Sequence, residues 1–240
     1  MSANDLPLQT IQFYATADYD CSYLPHRKAR AQVATPSHLI NQDSYSRLLQ
    51  EGFRRGGSYV YRPYCDSCQA CVSLRVLVHD FTPTRSQKRA WKKHENLKVR
   101  VMKPHFLSAH YQLYLNYQRT QHADSSMSQD SATQYSQFLL ASRVDTRLIE
   151  FVDASTNELR MVTLIDMLED GISAVYTFFD TAQVKASYGV YSILWLIRQA
   201  KELRLPYLYL GYWISETHKM SYKNNFQPNE KLVLQQWCST

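Results

Sequence analysis

The sequence predicts an α+β protein: a mixed β-sheet flanked by helices, with a smaller cysteine-containing lobe at its N-terminal end. Three observations lead there. Residues 1–90 are punctuated and irregular while residues 91–240 are regular, which divides the chain into an N-terminal lobe and a larger domain. The regular part runs as one strand, two helical patterns, three strands, an amphipathic helix and a last strand. A chain of 240 residues with 45% hydrophobic content can bury one large core and a smaller module leaning on it.

Within the lobe, Tyr23-Leu24-Pro25-His26, Gly52, Gly56-Gly57, Arg62-Pro63 and Phe81-Thr82-Pro83 read as loops around short elements, stiffened by something other than a large core. The polar run RSQKRAWKKH, residues 85–94, has helix formers and no breaker, so it reads as an exposed helix. Residues 97–102 alternate as a strand and stop at Pro104. Phe106, His110, Leu113 and Tyr117 then fall at helical spacing, and residues 133–143 form a second, shorter helical pattern. Between these two lies a polar, Ser-rich loop over residues 121–131. Strands follow at 148–152, 159–168 and 172–179, the last two joined by Asp170-Gly171, a strong hairpin signal. Val190, Ile193, Leu194, Ile197 and Ala200 mark one helix face that ends at Pro206, and residues 207–210 resume as a strand. The order β-α-α-β-β-β-α-β matches the acetyltransferase-like (GNAT) architecture, in which the fourth strand and the N-terminus of the following helix hold an acyl donor.

Bulk composition excludes some classes. Residues 1–10 carry Asp5 and no apolar run, so no secretory signal is expected and the chain is expected in the cytoplasm. No run approaches the roughly 18 apolar residues of a membrane span, in keeping with a mean hydropathy of −0.43. The net charge of +6 comes from one window: residues 54–103 hold 12 Lys/Arg against 3 Asp/Glu, leaving 15 against 18 elsewhere. A basic face beside a neutral-to-acidic remainder suits a polyanion such as nucleic acid, whose phosphates steer encounter.

Two clusters can carry chemistry. In Lys185-Ala186-Ser187-Tyr188-Gly189 the N–H groups opening a helix can hold a phosphate, with Lys185 adding a full charge. Cys65, Cys68 and Cys71 at CxxCxxC spacing, with Cys21 upstream, supply four thiolates suited to zinc or an iron–sulfur cluster, the alternative being reduced, unmetallated thiols. No Ser-His-Asp or Cys-His arrangement is legible.

The residues Cys21-Ser22-Tyr23-Leu24-Pro25, Gly52-Phe53-Arg54-Arg55-Gly56, Tyr61-Arg62-Pro63-Tyr64-Cys65 and Leu74-Arg75-Val76 resemble the N-terminal region of the arginyl-tRNA-protein transferase family. Tyr176-Thr177-Phe178-Phe179, Tyr188-Gly189-Val190-Tyr191, residues 205–214 and Lys219-Met220-Ser221-Tyr222-Lys223 continue the match over nearly the whole chain. Within the family the chain looks closest to the bacterial aspartate/glutamate leucyltransferase branch. It departs from the motif at Tyr188, where Leu is expected. The resemblance implies transfer of leucine from Leu-tRNA to an N-terminal Asp or Glu, which marks the acceptor for degradation by the N-end rule. The chemistry requires no cofactor, because an aminoacyl ester is already activated and an α-amine with a pKa near 7.7–8.0 is partly free base.

Beside these motifs, Arg54, Arg55 and Arg75 are candidates for the acceptor's carboxylate. Arg85, Lys88, Arg89, Lys92 and Lys93 are candidates for the tRNA backbone. Lys185, Ser187 and Gly189 are candidates to hold the donor. Tyr176, Tyr212 and Lys219 are the catalytic candidates, with Trp213 and Tyr222 lining the pocket. Arginyl transfer from Arg-tRNA, acetyl-CoA-dependent transfer and a cysteine-centred RNA-binding module without transfer activity stay open as alternatives.

Overall fold

The computed structural model describes residues 10–121, 129–183 and 185–239. The N-terminal part contains β1 (Gln12–Ala15), β2 (Tyr19–Asp20), β3 (Lys28–Ala29), β4 (Ala31–Thr35), α1 (Gln42–Gln50), β5 (Arg54–Gly56), β6 (Tyr59–Pro63) and β7 (Val72–Leu77). Strands β1, β4, β6 and β5 form an antiparallel sheet in that order, and β2 pairs with β3. Asn41 opens α1 with a capping box to Ser44, satisfying helix N–H groups that would otherwise lack partners. This part is better ordered than its punctuation suggests. Tyr45, Leu48 and Leu49 of α1 pack with Phe53, Val60 and Ala34 into a core that also takes in Leu168 and Tyr209, so stiffness comes from apolar packing shared with the C-terminal half.

The regular part follows the predicted order: α2 (Arg85–Lys93), β8 (Leu97–Met102), α3 (Ser108–Gln121), a short α4 (Ala132–Tyr135) running into a π-helical turn at Ser136–Leu140, β9 (Thr146–Asp153), β10 (Leu159–Met167), β11 (Gly171–Phe179), α5 (Tyr188–Glu202) and β12 (Tyr207–Trp213). The Ser-rich stretch 121–131 falls largely outside the described residues. After β12 come α6 (His218–Ser221), a 3₁₀ turn at Tyr222–Asn225, and the hairpin of β13 (Asn229–Val233) and β14 (Gln236–Ser239).

The large sheet has eight strands in the order β14-β13-β7-β12-β11-β10-β9-β8. Strand β7, from before residue 90, is inserted antiparallel beside β12 and extends the sheet past the acetyltransferase-like core. Side chains alternate across the strands. One face buries Ile149, Phe151, Met161, Ile165 and Leu208 under the apolar stripe of α5. The other buries Leu148, Val162, Leu164 and Phe178 under Tyr114 and Leu115 of α3 with Tyr135 and Leu139. At about 25 cal/mol per Å² of apolar surface these two layers dominate the driving force. Among the described residues no helix is long and apolar enough to cross a membrane.

Candidate active site

The site begins where the sheet splits. Strands β11 and β12 are parallel and pair only at Gly171 with Tyr207, Ile172 with Leu208 and Ser173 with Tyr209. Beyond that point β11 stays with β10 and β12 stays with β7, so a wedge opens between their C-terminal ends. A shift of register between Tyr209 and Gly211 bends β12 away. Open α/β sheets bind ligands at such carboxyl-end crevices.

Arg54, from β5, fills the mouth of the wedge. Its Nη2 donates to Val175 O of β11 at 3.1 Å, replacing the sheet partner that the splay removes. Its guanidinium carbon lies 5.6 Å from the ring centre of Tyr212. Gly211, at φ +68°, leaves the room: a Cβ there would stand 3.2 Å from Arg54 Nη1, in a left-handed conformation that favours glycine. Among the described residues no carboxylate pairs with Arg54, so most of its five donors remain available.

Tyrosines line the wedge. Gln118 Nε2 of α3 donates to the Tyr176 hydroxyl at 2.8 Å, which directs the phenol's own proton elsewhere. Burial pushes Tyr176 up to about 12, so it remains a donor at neutral pH. Tyr212 is placed differently from its predicted catalytic role. Its buried hydroxyl donates toward Gly52 O at 3.0 Å and Tyr61 O at 3.3 Å, tying β12 to the N-terminal part, and only its ring faces Arg54. Tyr23 and Tyr61 stand near Arg54, and Tyr117 of α3 lies near both Tyr176 and Tyr222. Tyr222 is exposed at the rim. Trp213 continues β12 with its ring beneath Lys231 Nζ, 4.1 Å away. The side chain of Lys219 lies outside the described residues.

Spacing did not reveal Lys223. Its side chain reaches back from the 3₁₀ turn and donates from Nζ to Tyr212 O at 2.8 Å. Burial, and after it the charge of Arg54, lower its pKa to about 7. The motif 219–223 includes this residue, but its burial depends on packing far along the chain.

Two of the three arginines predicted for the acceptor are committed elsewhere. Arg55 makes a buried bidentate pair with Asp166, Nε to Oδ2 and Nη2 to Oδ1 both at 2.9 Å, and donates further to Gly57 O, Ala141 O and Thr146. With its donors consumed and 3% of its surface exposed, it is structural. Arg75 bonds Glu230 at 2.7 Å and Tyr209 at 3.2 Å, and its guanidinium lies between the rings of Tyr207 and Trp237. Neither can present a fork to a peptide.

The donor turn lies on the surface. Lys185 and Ser187 both adopt left-handed φ, +62° and +63°, around buried Ala186. Ser187 makes no side-chain cap bond, and Gly189 sits in the first turn of α5, where a Cβ would meet only Phe179 at 3.9 Å. The end of α2 clamps this turn. Lys93 Nζ donates to Lys185 O at 3.1 Å, and His94 Nε2 bonds Ala186 O at 2.5 Å, which places the ring proton on Nε2. Burial lowers the pKa of His94. Its ring stacks on Tyr188 at 4.4 Å, a partner that the expected Leu could not offer as an aromatic face. Arg85, Lys88, Arg89, Lys92 and Lys93 are all exposed, so the basic helix and the helix N-terminus form one surface. Phe179, at the end of β11, contacts Tyr188 on one side and Tyr117 on the other, linking this surface to the wedge.

Cys21, Cys65, Cys68 and Cys71 line one cavity of about 480 Å³ together with Tyr23, Tyr61 and Tyr212, so the cavity adjoins the wedge. Burial, and then the neighbouring thiols, raise Cys71 to about 12. Among the described residues no group of three or more His, Cys, Asp or Glu is arranged to hold a metal ion.

Residues 19–89 match the model of the arginine-tRNA-protein transferase N terminus and residues 109–233 that of its C terminus. An aspartate/glutamate leucyltransferase of Polynucleobacter asymbioticus is 56% identical over 237 residues, covering 97% of this chain and 96% of the relative. One of Nitrosospira multiformis is 52% identical over 234 residues, covering 98% and 92%. Among solved structures, FemX aligns at a TM-score of 0.47 and 7% identity, over 87% of this chain and 81% of that one, a likeness too slight to carry an argument. A wedge between splayed strands, a basic helix leading to it, and sequence matches spanning both halves converge on one assignment: the chain belongs to the arginine-tRNA-protein transferase family.

Proposed function

We propose that this enzyme transfers leucine from Leu-tRNA to the N-terminal amine of proteins that begin with Asp or Glu. The observation that carries the reading is Arg54, a partly buried cation without a described carboxylate partner, held at the mouth of the wedge between β11 and β12. Its free N–H fork suits the side-chain carboxylate of the acceptor's first residue. The names of the relatives, aspartate/glutamate leucyltransferase, support leucine as the donor and an acidic terminus as the acceptor.

The wedge supplies what aminolysis of an ester needs. Holding ester and amine together is worth about 7–11 kcal/mol. The Tyr176 proton, left free by the bond from Gln118, is a donor for the oxyanion of the tetrahedral intermediate. The surface of α2 and the N-terminus of α5 receives the tRNA end through phosphate contacts, with Ser187 and Gly189 at the point of closest approach. Incubation with labelled Leu-tRNA and a peptide beginning with Asp, beside Arg-tRNA, acetyl-CoA and a peptide beginning with Ala, tests the reading. Label is expected only on the acidic peptide and only from Leu-tRNA. Transfer from Arg-tRNA alone, or RNA binding with no transfer, overturns it.

A further inference from the structure

The reaction needs a proton carrier, because the attacking nitrogen loses a proton and the departing ribose oxygen gains one. Candidates in the wedge are few. Tyr212 has its hydroxyl committed to backbone carbonyls, Tyr176 is held protonated by burial, and Arg54 does not deprotonate. Lys223 differs from them. Its Nζ is placed by one bond to Tyr212 O, at the carboxyl end of β12, and it lies close enough to Arg54 to feel its charge.

We propose that Lys223 is the proton shuttle of the transfer. Resting on the function proposed above, the step reads as follows. The acceptor's α-amine attacks the ester carbonyl and the C–N bond forms. The neutral Nζ of Lys223 takes the proton that this nitrogen sheds. As the C–O ester bond breaks, the Lys223 ammonium returns that proton to the ribose oxygen, leaving a peptide bond, a free tRNA 3′ end and a neutral lysine. No oxidant, reductant or further reactant enters.

The placement fits the chemistry in two respects. A neutral lysine that donates one N–H to Tyr212 O keeps its lone pair for the substrate. Among the described residues, Arg54 from β5 is the one charge acting on Lys223, and after burial it is the second cause that holds the amine near pH 7, where a shuttle works best. Burial pushes the phenols of Tyr23 and Tyr212, which lie beside Arg54, up from their ordinary value, so they carry no charge at that pH.

The test compares Lys223→Met and Lys223→Arg with wild type at saturating acceptor, across pH 5.5 to 9, a range spanning about 1.5 units or more on either side of the pKa in question. The wild-type kcat should rise with pH as Lys223 loses its proton, because the deprotonated lysine is the active form. Both variants should lose about 100-fold or more in kcat, with KM nearly unchanged and the rising limb reduced to the titration of the acceptor's own α-amine, near 7.7–8.0. A structural lysine, by contrast, predicts rescue by Arg, which can still donate to Tyr212 O; a Lys223→Arg enzyme with near wild-type kcat, or an unchanged limb, overturns the proposal. Arg54→Met should move the limb to higher pH, since it removes the charge that helps depress the lysine. Independently of folding in the variants, the pH dependence of Lys223 acylation by an amine-selective reagent, read by mass spectrometry on wild-type protein, should show a midpoint near 7. A midpoint in the ordinary lysine range, near 10.4, overturns the assignment. Wild-type protein that transfers no leucine contradicts the function reading instead, and the labelling midpoint still decides the state of Lys223.

Discussion

At the scale of single residues, Arg54 and Arg55 are chain neighbours with opposite fates. Both belong to β5, so alternate side chains point to opposite faces; one meets the wedge and the other meets Asp166, 111 residues away in sequence. Asp166 is fully buried and also accepts from Tyr45 at 2.9 Å and from Thr146 at 2.5 Å, which makes it a hub between α1, β5, β9 and β10. Arg55→Gln should therefore lower stability by about 3–5 kcal/mol, because it strands a buried carboxylate; denaturant unfolding measures this, and a change below about 1 kcal/mol contradicts the structural role. The sequence pointed to three motif arginines without separating the one at the wedge from the two that are structural. What distinguishes them is a distant partner, Asp166 for Arg55 and Glu230 for Arg75, and local spacing carries no trace of either. Lys223 escaped notice for the same reason: a lysine reads as a surface residue until Tyr212 and Arg54 are seen to enclose it.

At the scale of elements, legibility follows the range of the interactions. The strands and helices from β8 to β12 are set by short-range periodicity, and the structure places them within a few residues of the expected bounds. Strand β7 and the hairpin of β13 and β14 depend on pairing across the sheet, Leu208 against Val76 and Glu230 against Arg75, and left no local signature. Helix α2 was legible because its signals are local: Thr84 caps its start in a box with Gln87, and its cations face outward. Among the described residues Arg85, Lys88, Arg89 and Lys92 make no ion pair, so their charge is available to phosphates. Replacing these four with Gln should weaken tRNA binding and flatten its salt dependence by about 0.7–0.9 in log–log slope for each phosphate no longer neutralised. Binding measured over a salt series checks this, and an unchanged slope means that the tRNA lies elsewhere.

At the scale of the whole molecule, the two halves are joined at the wedge. Tyr212 bonds the backbone at Gly52 and Tyr61, β7 lies beside β12, and Arg54 reaches from the N-terminal sheet across to Val175. The N-terminal part thus provides a wall of the wedge, and the residue proposed to choose the acceptor, Arg54, comes from its β5 rather than from the large sheet. The claim on which the account turns is that Arg54 reads the acceptor's carboxylate. Its most direct test is the ratio of kcat/KM for peptides beginning with Asp and with Asn, isosteric but uncharged, in wild type and in Arg54→Gln. Strong preference for Asp is expected in wild type and a collapse of that preference by about 10- to 100-fold in the variant, as loss of a charged hydrogen bond implies. A variant that discriminates as well as wild type, whatever its absolute rate, contradicts it.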